Sequence, residues 1–280
     1  MISSNTKQVS TGARVAGGLA LLSALATGFA LLAAAPASAR PFDQGAKSAD
    51  VQSDDAVSDN GPADDTSGPA RIPKNKQIVV LFSGKQKEVA QNWIFQGSRK
   101  PAAWLVENGA LTTNGDSIIS KQLFLDFQLH VEFKTPWMPD KHGQERGNSG
   151  VGLLAQYEIQ VLDSYGFKEP GAGDCGAVYS QRGPLVNACK PPRQWQTYDI
   201  VFHAPVYENH VKVKNARVSV FQNGICVQDN QDIVGATGIA GKETEGPGPI
   251  YLQYHNNAVQ FRNVWVLPLP REGVTHYEPK

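Results

Sequence analysis

The residues best suited to chemistry lie in one heptapeptide, Tyr157-Glu158-Ile159-Gln160-Val161-Leu162-Asp163. Extended backbone alternates its side chains, so Glu158 and Gln160 share one face about 7 Å apart along the strand, opposite Tyr157, Ile159 and Val161. A carboxylate beside an amide suits a polyol ligand or, as hard oxygen donors, a divalent cation. The plain alternative is a polar stripe facing solvent. A second run, Leu252-Gln253-Tyr254-His255-Asn256, puts Gln253 and His255 on one face. An isolated histidine is more often a satisfied structural group, but alongside Glu158 it becomes a candidate acid, base or ligand. Upstream, Gly147-Asn148-Ser149-Gly150 permits a tight turn or close backbone approach to a ligand. Downstream, Gly176-Ala177-Val178-Tyr179 leads through a loop-rich stretch to Lys190 and Trp195.

These residues need strands to carry them. The hydrophobic period is two rather than 3.6. Phe127-Gln128-Leu129-His130-Val131-Glu132-Phe133-Lys134 alternates strictly, and Tyr198, Ile200 and Phe202 alternate with polar neighbours. Near the end, Phe261, Asn263, Trp265 and Leu267 are expected on one face, with Gln260, Arg262, Val264 and Val266 on the other. Asn108-Gly109 and Asn223-Gly224 each separate two strand-like runs, the dipeptide favoured in tight hairpins. The pattern predicts about a dozen short strands, no helix longer than two turns, and an all-β protein of two stacked antiparallel sheets.

Charge divides the chain into three parts. The whole has 26 basic and 26 acidic residues. Residues 1–39 carry Lys7 and Arg14 and no acid; residues 40–72 carry three basic and seven acidic residues. The remaining 73–280 is nearly balanced, and no segment has the basic excess of a nucleic-acid binder. Val15 to Ala34 is apolar or small and ends in Ala37-Ser38-Ala39, which reads as a secretory signal cleaved after Ala39, with a retained anchor as the rival reading. Residues 40–72, rich in Asp, Ser, Gly and Pro, read as a disordered acidic linker. Periplasmic or secreted location then follows, with no membrane contact after cleavage. In an oxidising compartment Cys175 and Cys189, close together in one loop-rich stretch, are the expected disulfide, and Cys226 a free thiol.

From Leu81 to Leu267 the chain resembles the bacterial 3-keto-disaccharide hydrolase family. The matching runs are Trp104-Leu105-Val106-Glu107-Asn108-Gly109, Gly147-Asn148-Ser149-Gly150, Tyr157 to Ser164, Gly176-Ala177-Val178-Tyr179, Trp195 to Ile200, Phe221-Gln222-Asn223-Gly224, Gln253-Tyr254-His255 and Phe261-Arg262-Asn263-Val264-Trp265. The resemblance implies a concanavalin-A-like jelly-roll β-sandwich, export, and action on sugars oxidised at C3. It also implies that family members can cleave by elimination and often need a divalent metal; Mn, Ca and Zn are the candidates, and no organic cofactor is expected. One departure is Asn256, which stands after the histidine where the family pattern has Gly.

The strand itself agrees with that chemistry. An ordinary glycosidase needs two carboxyls flanking the bond. Here Gln160 occupies the position two beyond Glu158, and parity sends Asp163 to the opposite face. A 3-keto sugar relaxes the requirement, because the ketone acidifies the C2 proton and one base suffices. His255 is the leading candidate for base or acid, Glu158 is its partner or a metal ligand, and Tyr179 is a candidate proton donor. Asn148, Gln160, Arg262, Trp195 and Lys190 are expected to bind substrate, and Glu158, Gln160 and His255 to hold a metal. Two rival functions are a non-catalytic carbohydrate-binding module and a conventional glycosidase on unoxidised glucan; both keep a carbohydrate partner.

Overall fold

Residues 61–271 are described in the computed structural model. The signal expected at 1–39, residues 40–60 of the expected linker, and residues 272–280 lie outside the described residues. In chain order the strands are β1 (Val79–Phe82), β2 (Trp93–Phe95), β3 (Val106–Glu107), β4 (Ala110–Thr112), β5 (Ile118–Phe124), β6 (Phe127–Lys134), β7 (Ser149–Leu153) and β8 (Tyr157–Val161). They continue with β9 (Gln196–His203), β10 (Val206–Glu208), β11 (Val211–Lys214), β12 (Ala216–Gln222), β13 (Ile225–Ile233), β14 (Gly248–Leu252) and β15 (Gln260–Pro268). One short helix, α1 (Gln86–Asn92), precedes β2.

Two antiparallel sheets make a jelly-roll sandwich. The large sheet runs β13-β12-β9-β6-β15-β4-β3, with β1 also paired to β15; the small one runs β2-β5-β14-β7-β8. The period-two pattern explains the assembly. Phe127, Leu129, Val131 and Phe133 of β6 and Tyr198, Ile200 and Phe202 of β9 face the core, where they meet Tyr157, Ile159 and Val161 of β8. Tyr157 and Phe202 touch across the sandwich with ring centroids 5.7 Å apart. Each such side chain contributes about 1.5–3 kcal/mol by leaving water. The Asn-Gly hairpins form as expected: Asn108 and Gly109, like Asn223 and Gly224, all adopt positive φ, the backbone twist that fits a two-residue hairpin.

The structure corrects two expectations. In β15 the strict alternation fails after Arg262, because a bulge shifts the register between Arg262 and Trp265 and turns Asn263 to φ 51°. Phe261, Val264 and Val266 enter the core, while Arg262 and Asn263 both lie under cover on the outer face. That cover is the second correction. Residues 61–72, expected as the end of a free linker, cross the outer face of the large sheet as a strap. Asp65 exchanges bonds with Arg193 and Trp195, Ala70 donates to Glu132 Oε1 at 2.7 Å, and Arg262 donates to the carbonyls of Ser67 and Gly68. Composition predicted solvation; the strap instead finds backbone partners that a composition argument cannot see.

Candidate functional site

Strand β8 closes one edge of the small sheet, and its outer face carries Glu158 and Gln160. The strands beside it leave room for them. Across β14, β7 and β8, Tyr251 pairs with Gly152 and Gly152 with Glu158. One pair along, Gln253 N–H donates to the Gly150 carbonyl and Gly150 pairs with Gln160. Two glycines therefore line the middle strand of a trough walled by Tyr251 and Gln253 on one side and Glu158 and Gln160 on the other. A Cβ at Gly150 would collide with Glu158 Oε1, so the carboxylate lies over that glycine.

The far edge of β8 is completed by the loop that carries Tyr179. Gly176 N–H donates to the Gln160 carbonyl, Gln160 N–H to the Ala177 carbonyl, and Tyr179 N–H to the Glu158 carbonyl. Tyr179 is thus fixed beside Glu158 by strand-like pairing. Thr237 Oγ1 accepts from the Glu158 N–H at 2.8 Å and brings Gly238 over the site. A Cβ at Gly238 would lie 3.2 Å from the Tyr179 ring and 3.8 Å from Glu158 Oε2, so ring and carboxylate border one small space.

The electrostatics of this trough are unusual. Glu158 is 3% exposed, and burial pushes its carboxyl up to about 7, with only the hydrogen-bonded Gln253 amide working against the shift. No cationic side chain contributes. Gln160 donates to Gln144 Oε1 at 3.0 Å and to the Gly173 carbonyl, which leaves its own Oε1 buried without a donor. Gln253 Oε1 is likewise buried without a donor. Asn148 donates to the carbonyl and side-chain oxygen of Gln144, so one glutamine organises two of the expected binding residues. The trough offers acceptors and a proton-exchanging carboxyl, and it lacks the donors that would satisfy them.

The structure places Glu158 and Gln160 side by side, as the alternation implied, and joins to them Asn148 and Tyr179, which the family resemblance marked. His255 is exposed, and its ring makes no hydrogen bond or ion pair among the described residues. Asn256 beside it adopts φ 58°, the left-handed conformation that Asn tolerates, so the missing family glycine costs the turn little. Arg262, Trp195 and Lys190 belong elsewhere. Arg262 lies on the outer face of the large sheet, 3.9 Å over the Trp195 ring and 2.6 Å from Glu132 Oε2. Lys190 Nζ donates to the Trp195 carbonyl at 2.9 Å. Arg262 and Trp195 thus pack together on the outer face of the large sheet, where the strap bonds to both, and Lys190 is an exposed loop residue beside Trp195. Asp163 anchors its loop through Arg146 and the Tyr165 N–H.

Cys175 and Cys189 are free thiols here, not the expected disulfide, although they are neighbours: Gln222 Nε2 donates to both sulfurs, at 3.5 and 3.3 Å. Cys226 is a free thiol, as expected. Sequence reasoning missed Gln144, Tyr251 and Gly238 as members of the site, and assigned Gln253 no role. Tyr251 on β14 and Gln253 just after it alternate outward and were open to the same parity argument as Glu158. Gln144 and Gly238 lie in loops, where no period points inward. Among the described residues no group of three or more His, Cys, Asp or Glu gathers as a metal cluster.

A family model described as a 3-keto-alpha-glucoside-1,2-lyase-like domain matches residues 77–267. A crystal structure of a candidate glycosyl hydrolase from Parabacteroides distasonis is 36% identical, with TM-score 0.64, over 69% of this chain and 84% of that one. A second candidate glycosyl hydrolase from the same organism shares the fold at 19% identity and TM-score 0.51, over 71% of this chain and 99% of that one. Among curated proteins no match is found.

Proposed function

The chain belongs to the 3-keto-alpha-glucoside-1,2-lyase-like family, and on that premise we propose that this carbohydrate-active protein cleaves 3-keto-glycosides by proton abstraction at C2. The observation that carries the reading is Glu158: a buried carboxyl without a cationic partner, raised to about 7, beside the Tyr179 ring. Such a group exchanges protons at neutral pH, as a general base must. The absence of a second carboxyl beside it on β8 fits an elimination better than double-displacement chemistry.

In this mechanism the Glu158 carboxylate takes the C2 proton of the sugar. The electron pair moves through the C3 ketone as an enolate and returns to expel the oxygen at C1. Tyr179 donates a proton to that leaving oxygen, giving an alcohol and an unsaturated 3-keto sugar. Water then adds its hydroxyl to C1 and gives its proton to the Tyr179 phenolate, while Glu158, its proton exchanged with solvent, protonates C2, so net hydrolysis restores both groups. Gln160 and Gln253, through their unsatisfied Oε1 atoms, accept from sugar hydroxyls, and Asn148 with Gln144 holds Gln160 in place.

The same oxygens fit a divalent cation of the kind the resemblance implies. Glu158, Gln160 Oε1 and Gln253 Oε1 are hard donors without a positive neighbour. Such an ion, when bound, would polarise the C3 ketone. Exhaustive chelation is expected to lower turnover, and Mn²⁺, Ca²⁺ or Zn²⁺ to restore it; chelation without effect removes the metal from the reading. Export belongs to the proposal too, carried by the Lys7–Ala39 pattern; the mature chain is then expected to begin at Arg40 on N-terminal sequencing.

The decisive assay follows a 3-keto-disaccharide in D₂O by NMR, with the unoxidised disaccharide as control. Deuterium at C2 of the product, and no turnover of the control, is the expected result. Equal turnover of the unoxidised sugar would sink the reading in favour of an ordinary glycosidase. Binding of sugar without turnover of either would favour a carbohydrate-binding module.

A further inference from the structure

Apart from the Glu158 trough, a cavity of about 320 Å³ opens between the turn that follows β4 and the loop that follows β14. Its volume is at the lower end for small-ligand sites, enough for one small ring and not for an extended polymer. Leu105 and Tyr254 give it an apolar surface; Leu105 is 60% exposed, and Tyr254 packs its inner edge on the core. Around them stand the side chains of Asn114, Asn256 and Glu107. The Asn114 and Asn256 amides, the Tyr254 hydroxyl and the Glu107 carboxylate make no hydrogen bond or ion pair among the described residues. No Lys, Arg or His lines the cavity.

We propose that this cavity is a second carbohydrate site, which holds one uncharged pyranose ring. The chemistry of the lining selects that ligand. A pyranose has an apolar C–H face, which packs on an aromatic or aliphatic side chain, and a rim of hydroxyls that both donate and accept. Amides answer both roles, and a carboxylate accepts. Phosphates and uronates are disfavoured, because the one charged group in the lining, Glu107, is itself an anion. The backbone ties this cavity to the trough without merging them. Asn257 Oδ1 accepts from the Asn148 N–H at 2.8 Å, and Thr113 Oγ1 donates to the Asn257 carbonyl at 2.6 Å. The His255–Asn257 loop is therefore the shared wall, with one side toward Asn148 and the other toward Tyr254. A ring held on the Tyr254 side places the rest of a saccharide near the trough.

Titration of the mature protein with methyl α-glucoside, followed by ligand-observed NMR, tests the site without turnover. Wild type and Glu158→Gln are expected to bind alike. Leu105→Arg, at an exposed position that does not hold the fold, and Tyr254→Ala are expected to weaken binding about tenfold or more. Tyr254→Phe keeps the packing and guards against misfolding; it is expected to lose a few-fold. Glucuronate is expected to bind more weakly than the neutral glucoside. Undiminished binding by Leu105→Arg and Tyr254→Phe, or loss of binding in Glu158→Gln alone, would overturn the proposal. So would the absence of any binding by wild type. The keto-sugar assay fails or succeeds separately: Tyr254-dependent binding with no turnover rejects only the proposed reaction.

Discussion

Glu132 and Glu158 are the same residue type, 2% and 3% exposed, on the outer faces of the two sheets of one sandwich, and their protons behave oppositely. Burial pushes both up. At Glu132 it is outweighed by hydrogen bonds from His130, Asn263, the Ala70 N–H and Arg262, which hold the carboxyl down at about 2. At Glu158 one amide is the sole counterweight, and the carboxyl rises to about 7. His130, stacked on Trp265 and 2.6 Å from Asp199, completes the first cluster; burial would lower it, but Asp199 and Glu132 raise it to about 9. The contrast shows that burial alone does not mark a reactive carboxyl. The partner set decides whether the group is locked into the fold or left to exchange protons.

Exchanging each carboxyl for an amide should pull the two faces furthest apart. Glu158→Gln is expected to lower kcat on a 3-keto-glycoside by about 10²–10⁴-fold, the usual worth of a general base. Thermal unfolding at pH 8 should be unchanged or raised, because a charge disfavoured by burial is gone. Glu132→Gln is expected to do the reverse. Arg262 loses its carboxylate, the fold loses about 3–5 kcal/mol, and the strap becomes cleavable near Arg71, while turnover per folded molecule persists. Equal loss of turnover in both variants would erase the distinction. Tyr179→Phe should follow with about a 10²-fold fall in kcat, at the low end for a proton donor, and little change in denaturant midpoint.

Stability against pH sharpens the comparison further. Glu132 is lower in the folded chain than in the unfolded one, so its contribution is fully present above about pH 4.5 and fades as pH falls toward 2. His130 is higher when folded, so its contribution is full below about pH 6.5 and fades as pH rises toward 9. The strap face should be firmest between those limits. Glu158 runs against it. The folded chain holds a proton that the unfolded chain has released between pH 4.5 and about 7, so this group costs stability as pH rises through that window. Denaturant titrations of wild type and Glu158→Gln at several pH values should show the difference appear there and level off above it. Turnover should rise through the same range as the base deprotonates. The smallest effect is expected at Asp64, whose half-exposed carboxylate pairs with Lys134 at 2.7 Å; Asp64→Asn should cost less than about 1 kcal/mol in chemical denaturation.

Much of the trough was legible because strand parity is local. Glu158 and Gln160 face outward together for the same reason that Tyr157, Ile159 and Val161 face the core. Tyr179 and Asn148 came with flanking runs that the family resemblance marks. Parity put Arg262 opposite Phe261, as found, but could not show that the strap covers that outer face; the bulge at Asn263, which has no signature in alternation, displaced Asn263, Val264 and Val266 instead. Trp195 and Lys190 were misplaced, since an aromatic beside a strand reads equally as sugar platform or packing. The strap at 61–72 escaped because its polar composition describes what it can do alone, not what Arg262, Glu132 and Asn263 offer it.

The sequence by itself determined the strands, the Asn-Gly hairpins, the two-layer core and the pairing of a carboxyl with an amide on β8, because side-chain period and turn chemistry are properties of neighbours along the chain. Only the tertiary structure decided which buried glutamate is satisfied. Hydrogen-bond partners and counter-charges arrive from residues more than a hundred positions away, as Arg262 does for Glu132, and their absence around Glu158 can be read only once every neighbour is in place.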